Sequence, residues 1–302
     1  MTTPPQANEL RFLDPKVLAK IGSLDLKSKM IVEGFLAGLH RSPFKGFSVE
    51  FAEYRQYMPG DDLSTIDWKV YARSDRFYVK KYEEETNLDC HVLLDVSASM
   101  GYASNGVSKL EYGSYLAASL AYLMSRQRDA VGLMAFDDQI VNVLPPSARA
   151  GHLRALLVTL DRLQLGQRTN VSKPLHQLAD ALVKRGLVVL ISDLLDEPDQ
   201  VVDGLKHFRF RGTEVIVFHV LDAHELTFPF ERATRFRDME TADEVMAVPA
   251  VVRDQYLAEI NELIEFYRRQ LRKVGIDYCL LDTSKPLDFA LMSYLATRGR
   301  SY

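Results

Sequence analysis

The chain has 302 residues, of which 47% are apolar and 26% are charged, and its formal net charge is -4. A chain of this length buries enough apolar surface to fold without disulfides or a structural metal, and its two cysteines show no metal-ligand spacing. The slight acidic excess argues against a nucleic-acid-binding protein, because such a protein usually carries a basic excess on the domain that binds. We therefore expect a globular protein with no nucleic acid among its partners.

The amino-terminal residues are not expected to form a secretory signal. Residues 1–10 are polar and include Pro4 and Pro5, with no apolar core. Elsewhere the longest apolar runs, such as residues 187–191, are far shorter than the roughly 18 to 20 residues that span a bilayer. The sequence thus predicts a cytoplasmic protein without direct membrane insertion.

Residues 1–86 are predicted to combine N-terminal helices with an accessory α+β layer. Residues 10–39 place apolar side chains at helical spacing, which predicts one or two amphipathic helices. Residues 40–86 contain short strand-like runs, a Pro-Gly turn and one short predicted helix, and they end in a strand predicted at residues 76–84. We therefore interpret residues 1–86 as a separate N-terminal part of the chain.

From residue 87 onward, strand and helix patterns alternate. The strands are predicted at residues 88–96, 130–136, 139–144, 187–193, 213–221 and 276–281. The helices are predicted at residues 109–128, 151–163, 173–185, 197–210, 254–274 and 286–297. Such alternation is typical of a mainly parallel sheet covered by helices on both faces. We expect this α/β domain to span residues 87–302.

Two further local features are predicted within this series of strands and helices. Residues 232–248 resemble a β-hairpin inserted after the fifth strand, with its turn near residues 241–243. Gly186 follows the helix predicted at residues 173–185, and glycine commonly ends helices. We therefore expect Gly186 to end that helix and the hairpin to be an insertion in the sheet domain.

Polar side chains follow the predicted strands at the edge where ligands bind in open α/β sheets. Asp95, Ser97 and Ser99 form a D-x-S-x-S run directly after the first strand of the sheet. Asp193 closes another predicted strand, and Thr169 lies in a loop before a predicted helix. Carboxylate and hydroxyl oxygens are ligands that suit a small divalent cation. The sequence therefore predicts a metal site formed by these five residues.

Each of these residues also has an ordinary structural interpretation. The two serines could cap the following helix, Asp193 could cap the helix after its strand, and Thr169 could begin a turn. Asn170 and Ser172 lie close enough to Thr169 in the sequence to take its place as a ligand. The residues alone leave these alternatives open.

Several segments resemble a bacterial protein family. The D-x-S-x-S loop, the distant Thr and the later Asp resemble the metal-ion-dependent adhesion site of von Willebrand factor A domains. The segments YRQYMPGDDLSTIDWKVYARSDRFYVKKYEEE, FRDMETADEV and GIDYCLLDTSKPLDFALMSYL resemble the family that accompanies MoxR AAA+ ATPases, called domain of unknown function fifty-eight. The resemblance covers residues 39–295.

This resemblance implies a fold, a cofactor and partners. The fold would be a von Willebrand factor A-like, Rossmann-like sheet of six mainly parallel strands with the metal at its top. Asp95, Ser97 and Ser99 match the metal loop of the family, Thr169 matches its Thr position, and Asp193 matches its second acidic position. The ion would be Mg²⁺ or Mn²⁺, with an open position that binds an acidic residue of a client protein. The partner would be a MoxR-type AAA+ ATPase.

A charged and aromatic segment in the accessory layer is a candidate for a second interaction surface. Its residues of interest are Arg55, Tyr57, Asp61, Asp62, Asp67, Trp68 and Arg73. The alternative, which we favour, is that the arginines pair with the aspartates and hold the accessory layer together.

The sequence favours an interaction protein over an enzyme. It contains no G-x-x-x-x-G-K-[ST] phosphate-binding loop and no G-x-S-x-G nucleophile elbow. We expect a metal-dependent adaptor that works with a MoxR-type ATPase in chaperone-like assembly or activation of a target complex. One alternative is a Mg²⁺-dependent phosphoester hydrolase that uses Asp95, although Ser97 stands where many such enzymes need an acidic proton donor. Another is a structural scaffold whose metal loop stays empty.

Overall fold

The computed structural model describes residues 15–20, 23–41, 54–56, 78–80, 89–166, 171–182, 186–241 and 243–298. The chain divides into two compact units. One comprises Leu39–Asn87, and the other comprises Met1–Gly38 together with Leu88–Tyr302. The N-terminal helices thus group with the larger unit, while the division into domains at residues 1–86 and 87–302 stays a prediction.

The smaller unit contributes a two-stranded antiparallel sheet to the described residues. Strand β1 spans Tyr54–Gln56 and strand β2 spans Tyr78–Lys80, with Arg55 opposite Val79. Strand β2 lies inside the strand predicted at residues 76–84. The predicted turn and short helix of this unit lie outside the described residues.

Two amphipathic helices precede this unit in the chain. They are α1 (Pro15–Ala19) and α2 (Leu24–Arg41). Leu24, Ile31 and Phe35 on α2 are buried, as their helical spacing predicts. The Nζ atom of Lys27 donates a hydrogen bond to the Tyr115 hydroxyl at 3.1 Å. This contact lies within the larger unit and joins two of its segments that are far apart in sequence.

Six strands form the main sheet of the larger unit. In chain order they are β3 (Asp89–Asp95), β4 (Ala130–Phe136), β5 (Ile140–Ser147), β6 (Gly186–Ser192), β7 (Glu214–Leu221) and β10 (Asp277–Asp282). Their spatial order is β10-β7-β6-β3-β4-β5. All neighbouring strands are parallel except β5, which returns antiparallel to β4 after a tight turn. The predicted fold class, an α/β protein with a mainly parallel six-stranded sheet, is confirmed.

Helices connect these strands. In chain order they are a 3₁₀ turn (Ala98–Gly101), α3 (Lys109–Arg126), α4 (His152–Asp161), α5 (Ser172–Ala181), α6 (Pro198–Phe210), α7 (Ala223–Thr227), α8 (Pro249–Lys273) and α9 (Asp288–Arg298). Among the residues that the structure describes, no helix combines the length and the apolar character that crossing a bilayer requires.

The helices cover both faces of the sheet, because successive strand residues point to opposite sides. Leu93 and Leu190 share one buried core with residues of α5, α6 and α8. Leu94 and Ile191, one position further along the same strands, face α3 on the other side. There, a Cβ atom at Gly113 of α3 would lie 3.1 Å from both side chains, so the helix sits directly on the sheet. This close packing fixes the first residue of α3 near the strand ends.

The expectation that Gly186 ends a helix is wrong. Helix α5 already ends at Ala181, and Leu182 after it has an extended backbone. Gly186 is the first residue of β6 and lies opposite Asp89 in the sheet. A Cβ atom at Gly186 would lie 2.1 Å from the carbonyl oxygen of Asp89, so the glycine permits close approach of two strands.

The inserted hairpin is confirmed, and aromatic side chains anchor it. It consists of β8 (Thr234–Arg237) and β9 (Glu244–Ala247), which form a separate antiparallel sheet. The ring of Phe236 on β8 lies 5.5 Å from that of Phe228 and 5.1 Å from that of Phe230. The Phe228 ring also lies 4.6 Å from that of Tyr256 on α8. These ring contacts hold the hairpin against the segments that precede and follow it.

Candidate metal site at the carboxyl edge of the sheet

The strand order reverses between β3 and β6, and this position is where open α/β sheets bind ligands. The chain leaves β3 towards β4 on one side, and it leaves β6 towards β7 on the other. Leu94 is paired with Ile191, so Asp95 and Ser192 end the two strands side by side. Asp193 follows directly. The structure therefore brings Asp95 and Asp193 together at the predicted edge.

Asp95 is fully buried, and both of its carboxylate oxygens accept hydrogen bonds. Oδ1 accepts from the backbone N–H of Ser97 at 2.9 Å, and Oδ2 accepts from the Ser192 hydroxyl at 2.6 Å. Burial and then the nearby carboxylate of Asp193 raise the pKa of Asp95 to about 7, and these hydrogen bonds only partly offset the rise. The charge of this carboxylate is therefore poorly compensated by the described residues.

The two serines of the predicted metal loop turn their hydroxyls towards each other. The Oγ atoms of Ser97 and Ser99 lie 3.1 Å apart, within the turn closed by Met100 N–H donating to the Ser97 carbonyl. The Ser97 side chain makes no helix-capping hydrogen bond, and Ser108 caps the following helix α3 instead. The alternative that Ser97 caps the following helix is therefore wrong. The hydroxyl pair is a source of two neutral oxygen ligands next to Asp95.

Asp193 is also fully buried, but a lysine already holds its carboxylate. The Nζ atom of Lys109 lies 2.7 Å from Asp193 Oδ2, and the backbone N–H of Leu195 donates to Oδ1 at 3.4 Å. His219 donates from Nε2 to the Asp193 carbonyl at 2.8 Å. Glu197 occupies the N-cap position of α6, so Asp193 does not cap that helix. The side chain of Asp193 is oriented mainly by Lys109.

Lys109 is a residue of the candidate site that the sequence reasoning missed. Its side chain is fully buried and also contacts Glu225 Oε1 at 2.7 Å. Glu225 in turn accepts from the backbone N–H of Asp222 at 2.7 Å. Although burial alone would lower it, the carboxylates of Asp193 and Glu225 raise the pKa of Lys109, so the ammonium stays charged. A signal was present, because Lys109 precedes Tyr112 by one helical turn on the buried face of α3.

The donor set at this edge fits a hard divalent cation in part. Asp95 supplies a carboxylate whose charge is poorly compensated, and Ser97 and Ser99 supply hydroxyl oxygens, as Mg²⁺ and Mn²⁺ prefer. Within the described residues, no group of three or more His, Cys, Asp or Glu side chains is arranged to hold a metal. Any ion held here would therefore depend on the serine hydroxyls and on water for the rest of its ligands.

Thr169 and its alternative Asn170 lie outside the described residues, so their role stays a prediction. Gly166 and Ser172, before and after this segment, are among the described residues. Gly166 donates its backbone N–H to the Val96 carbonyl at 2.7 Å, beside the metal loop. Ser172 is buried at the start of α5, and its backbone N–H lies 3.4 Å from Asp196 Oδ2.

The predicted second interaction surface also stays a prediction. Only the backbone of Arg55 is described, in β1. The other residues of that surface lie outside the described residues; they are Tyr57, Asp61, Asp62, Asp67, Trp68 and Arg73.

The turn of the inserted hairpin packs against the metal loop, which the sequence reasoning did not anticipate. A Cβ atom at Gly101 would lie 2.5 Å from Leu165 Cδ1 and 3.2 Å from Met239 Cε. Met239 belongs to the hairpin turn, and both Leu165 and Met239 are 45% exposed. The candidate site therefore has an apolar rim contributed by two loops distant in sequence.

Comparisons with known proteins identify a family model that covers well over half of the chain. The model described as "Protein of unknown function DUF58" matches residues 53–263. "Uncharacterized protein Rv1480" of Mycobacterium tuberculosis is 25% identical over 291 residues, which are 95% of this chain and 91% of that protein. A protein of Mycobacterium bovis matches with the same identity and coverage.

Two solved structures are similar over 70% of this chain and 99% of their own. One is an aerotolerance-related membrane protein from Bacteroides fragilis, with 19% identity and a TM-score of 0.48. The other is BatB from Bacteroides thetaiotaomicron, with 16% identity and a TM-score of 0.47. At this level of similarity, the two structures carry no information on the function of this chain.

Proposed function

We propose that this protein, which belongs to the DUF58 family, is a metal-dependent protein-interaction module of the cytoplasm. The observation that carries the proposal is the cluster at the switch point of the sheet. There a fully buried carboxylate, Asp95, lies beside the paired hydroxyls of Ser97 and Ser99. Such a cluster of hard oxygens is suited to bind a small divalent cation.

The residues of this cluster would hold Mg²⁺ or Mn²⁺. Asp95 would supply negative charge, Ser97 and Ser99 would supply neutral oxygens, and Thr169 and Asp193 would complete the predicted set. A bound ion would keep part of its positive charge, because Lys109 already offsets the charge of Asp193, and it would attract a carboxylate of a client protein. The exposed side chains of Leu165 and Met239 would contact the same client beside the ion.

The proposal treats the protein as a binding module and not as an enzyme. A nucleophilic carboxylate must reach its substrate, whereas Asp95 is fully buried with both oxygens engaged by Ser97 and Ser192. The same contacts suit a carboxylate that orients the other groups of a binding site without touching a substrate. The geometry thus favours the interaction module over a phosphoester hydrolase that uses Asp95.

The proposed working partner is a MoxR-type AAA+ ATPase. The support for it is the resemblance of the segments at residues 54–85, 236–245 and 275–295 to the family that accompanies such ATPases. The second of these segments contains the hairpin turn that packs on the metal loop. We propose that the protein is an adaptor in chaperone-like assembly or activation of a target complex.

Calorimetric titration with Mn²⁺ and Mg²⁺ tests the metal site. The variants are Ser97→Ala combined with Ser99→Ala, and Ser125→Ala as a matched control at an exposed position of α3. We expect the wild type and the control to bind one ion, and we expect the double variant to lose binding with an unchanged circular dichroism spectrum. Binding of the same strength in all three proteins contradicts the proposed site.

A further inference from the structure

Lys109 lies where a positive charge is least expected. It is the first residue of α3, and the peptide dipoles make this end of a helix unfavourable for a cation. Its side chain is fully buried, which is rare for lysine unless the charge is paired. The compensation comes from Asp193 Oδ2 and Glu225 Oε1, each 2.7 Å from Nζ. Two carboxylates from different loops therefore fix one ammonium at the strand ends.

This ammonium is next to the candidate metal site. Asp193, which it holds, follows β6 directly, and β6 ends beside Asp95. Ser192, the residue before Asp193, donates its hydroxyl to Asp95 Oδ2 at 2.6 Å, so the two aspartates belong to one cluster. An ammonium on Asp193 and a divalent ion on Asp95 would therefore compete for the same negative charge.

We infer that Lys109 is a positioning residue that sets the charge, and so the metal affinity, of the site formed by Asp95, Ser97 and Ser99. Its ammonium holds Asp193 Oδ2 and offsets part of the negative charge at the strand ends. The protein is consequently able to fold without metal, and it binds a divalent cation only weakly. This inference rests on the proposed function, because it concerns the same site.

The charges of the described cluster support this role. Asp95, Asp193 and Glu225 contribute three carboxylates, and Lys109 contributes one ammonium. Without the ammonium, Asp193 and Glu225 would be left without their ion-pair partner, which is costly in a buried position. A divalent cation at the site would then replace part of the missing positive charge. Metal binding and stability are therefore expected to change in opposite directions when Lys109 loses its charge.

The test uses Lys109→Met, which keeps an unbranched side chain only one heavy atom shorter and removes its charge. We expect this variant to bind Mn²⁺ at least about tenfold more tightly than the wild type, because even in water a unit charge a few ångströms from a divalent ion weakens its binding by about this factor. In EDTA its melting temperature should fall below that of the wild type, and Mn²⁺ should raise it by more than it raises the wild-type value. Lys109→Arg, which keeps the charge, should retain the wild-type affinity.

A control variant at a partly exposed ion pair tests whether any loss of a lysine charge has the same effect. Lys206 contacts Asp203 at the same distance of 2.7 Å, but both side chains are partly exposed on α6. Lys206→Met should change neither the Mn²⁺ affinity nor the response of the melting temperature to Mn²⁺.

If Lys109→Met fails to fold, a second variant tests the effect of Lys109 on metal affinity. Lys109→Met combined with Glu225→Gln removes the ammonium together with one of its two carboxylates, so the net charge of the cluster is unchanged. The inference predicts tighter Mn²⁺ binding than in the wild type here as well, because the partner of Asp193 is gone.

The outcomes distinguish this inference from the proposed function. Tighter binding by the folded Lys109 variants supports the inference. If the wild type binds Mn²⁺ and the folded variants bind it equally or more weakly, the inference is overturned and the metal site stands. If only the variants bind Mn²⁺, Lys109 blocks the site and the proposed metal-dependent function of the wild type fails. If no protein binds Mn²⁺, both fail.

Discussion

Two aspartates at the carboxyl edge of the sheet have opposite electrostatic surroundings. Asp222, after β7, accepts hydrogen bonds from Ser104 N–H, His224 N–H and the Thr283 hydroxyl. Burial would raise the pKa of Asp222, but these bonds outweigh it and lower the pKa. Asp95 receives fewer bonds, and its pKa rises to about 7. Asp222 is thus satisfied by the protein itself, whereas a cation beside Asp95 would favour the charged form of its carboxylate.

The buried imidazole of His219 makes the stability of the fold depend on pH. It lies in β7, where burial, only partly offset by Asp193, lowers its pKa from 6.5 to about 4. As pH falls from 6.5 towards 4, the unfolded chain takes up a proton that the folded protein does not, so stability is lost in this window. We expect His219 to account for a loss of about 3 kcal/mol across the window.

Urea denaturation at several pH values checks this prediction against His219→Gln. The variant lacks the titrating group, so its free energy of unfolding should fall less than that of the wild type between pH 6.5 and 4. Well above pH 6.5 the imidazole is neutral in both states, and the difference between the two proteins should be constant. A parallel pH dependence of the two proteins from neutral pH to pH 4 contradicts the assignment.

At the scale of elements, the sequence was sufficient to predict the sheet and the strand-end loops. Strands β3 and β6 are short segments rich in Val, Leu and Ile because both of their faces are covered, and such segments are recognisable without any structure. Asp95 and Asp193 directly follow these segments, so the topology alone places them at one edge. This is why the carboxylates of the candidate site were found from the sequence.

The parts that the sequence reasoning missed depend on contacts between distant segments. Helical spacing places Lys109 on the buried face of α3, but it does not identify the partners of its ammonium, since Asp193 and Glu225 are 84 and 116 residues away. Met239 reaches the metal loop only because the hairpin folds back over it. Gly186 was misread because a glycine after a helix pattern suits a helix end as well as a strand start. Tertiary packing determines the surroundings of all three residues.

The close approach of β6 and β3 predicts a specific cost for side chains at Gly186. In Gly186→Ala the new methyl group would meet the backbone carbonyl of Asp89, which cannot move without breaking the sheet. We expect a loss of about 1–3 kcal/mol in the free energy of unfolding, measured by urea denaturation.

Gly113→Ala is the matched comparison for this prediction. Its new methyl group would meet only the side-chain tips of Ile191 and Leu94 at 3.1 Å, and alanine favours the helix by about 1 kcal/mol. The loss should therefore be smaller than at Gly186. Equal losses at the two positions would show that the backbone contact at Asp89 is not the cause.

For the molecule as a whole, one edge of the sheet collects the features that a binding module needs. The ends of β3 and β6 supply the oxygen cluster, α3 supplies Lys109, and the hairpin turn supplies an exposed apolar side chain at Met239. Helix α7 joins the same network through Glu225. These contributions come from separate parts of the chain, so a client bound at this edge would contact several elements at once.

The most direct test of the metal-dependent interaction module is a pull-down from native cell lysate with the tagged full chain. It is run in Mg²⁺ and in excess EDTA, with the wild type and the Ser97→Ala, Ser99→Ala double variant, and bound proteins are identified by mass spectrometry. We expect a MoxR-type AAA+ ATPase to be retained by the wild type in Mg²⁺, and to be lost in EDTA and with the variant. The same partners in every lane would contradict docking through the metal site.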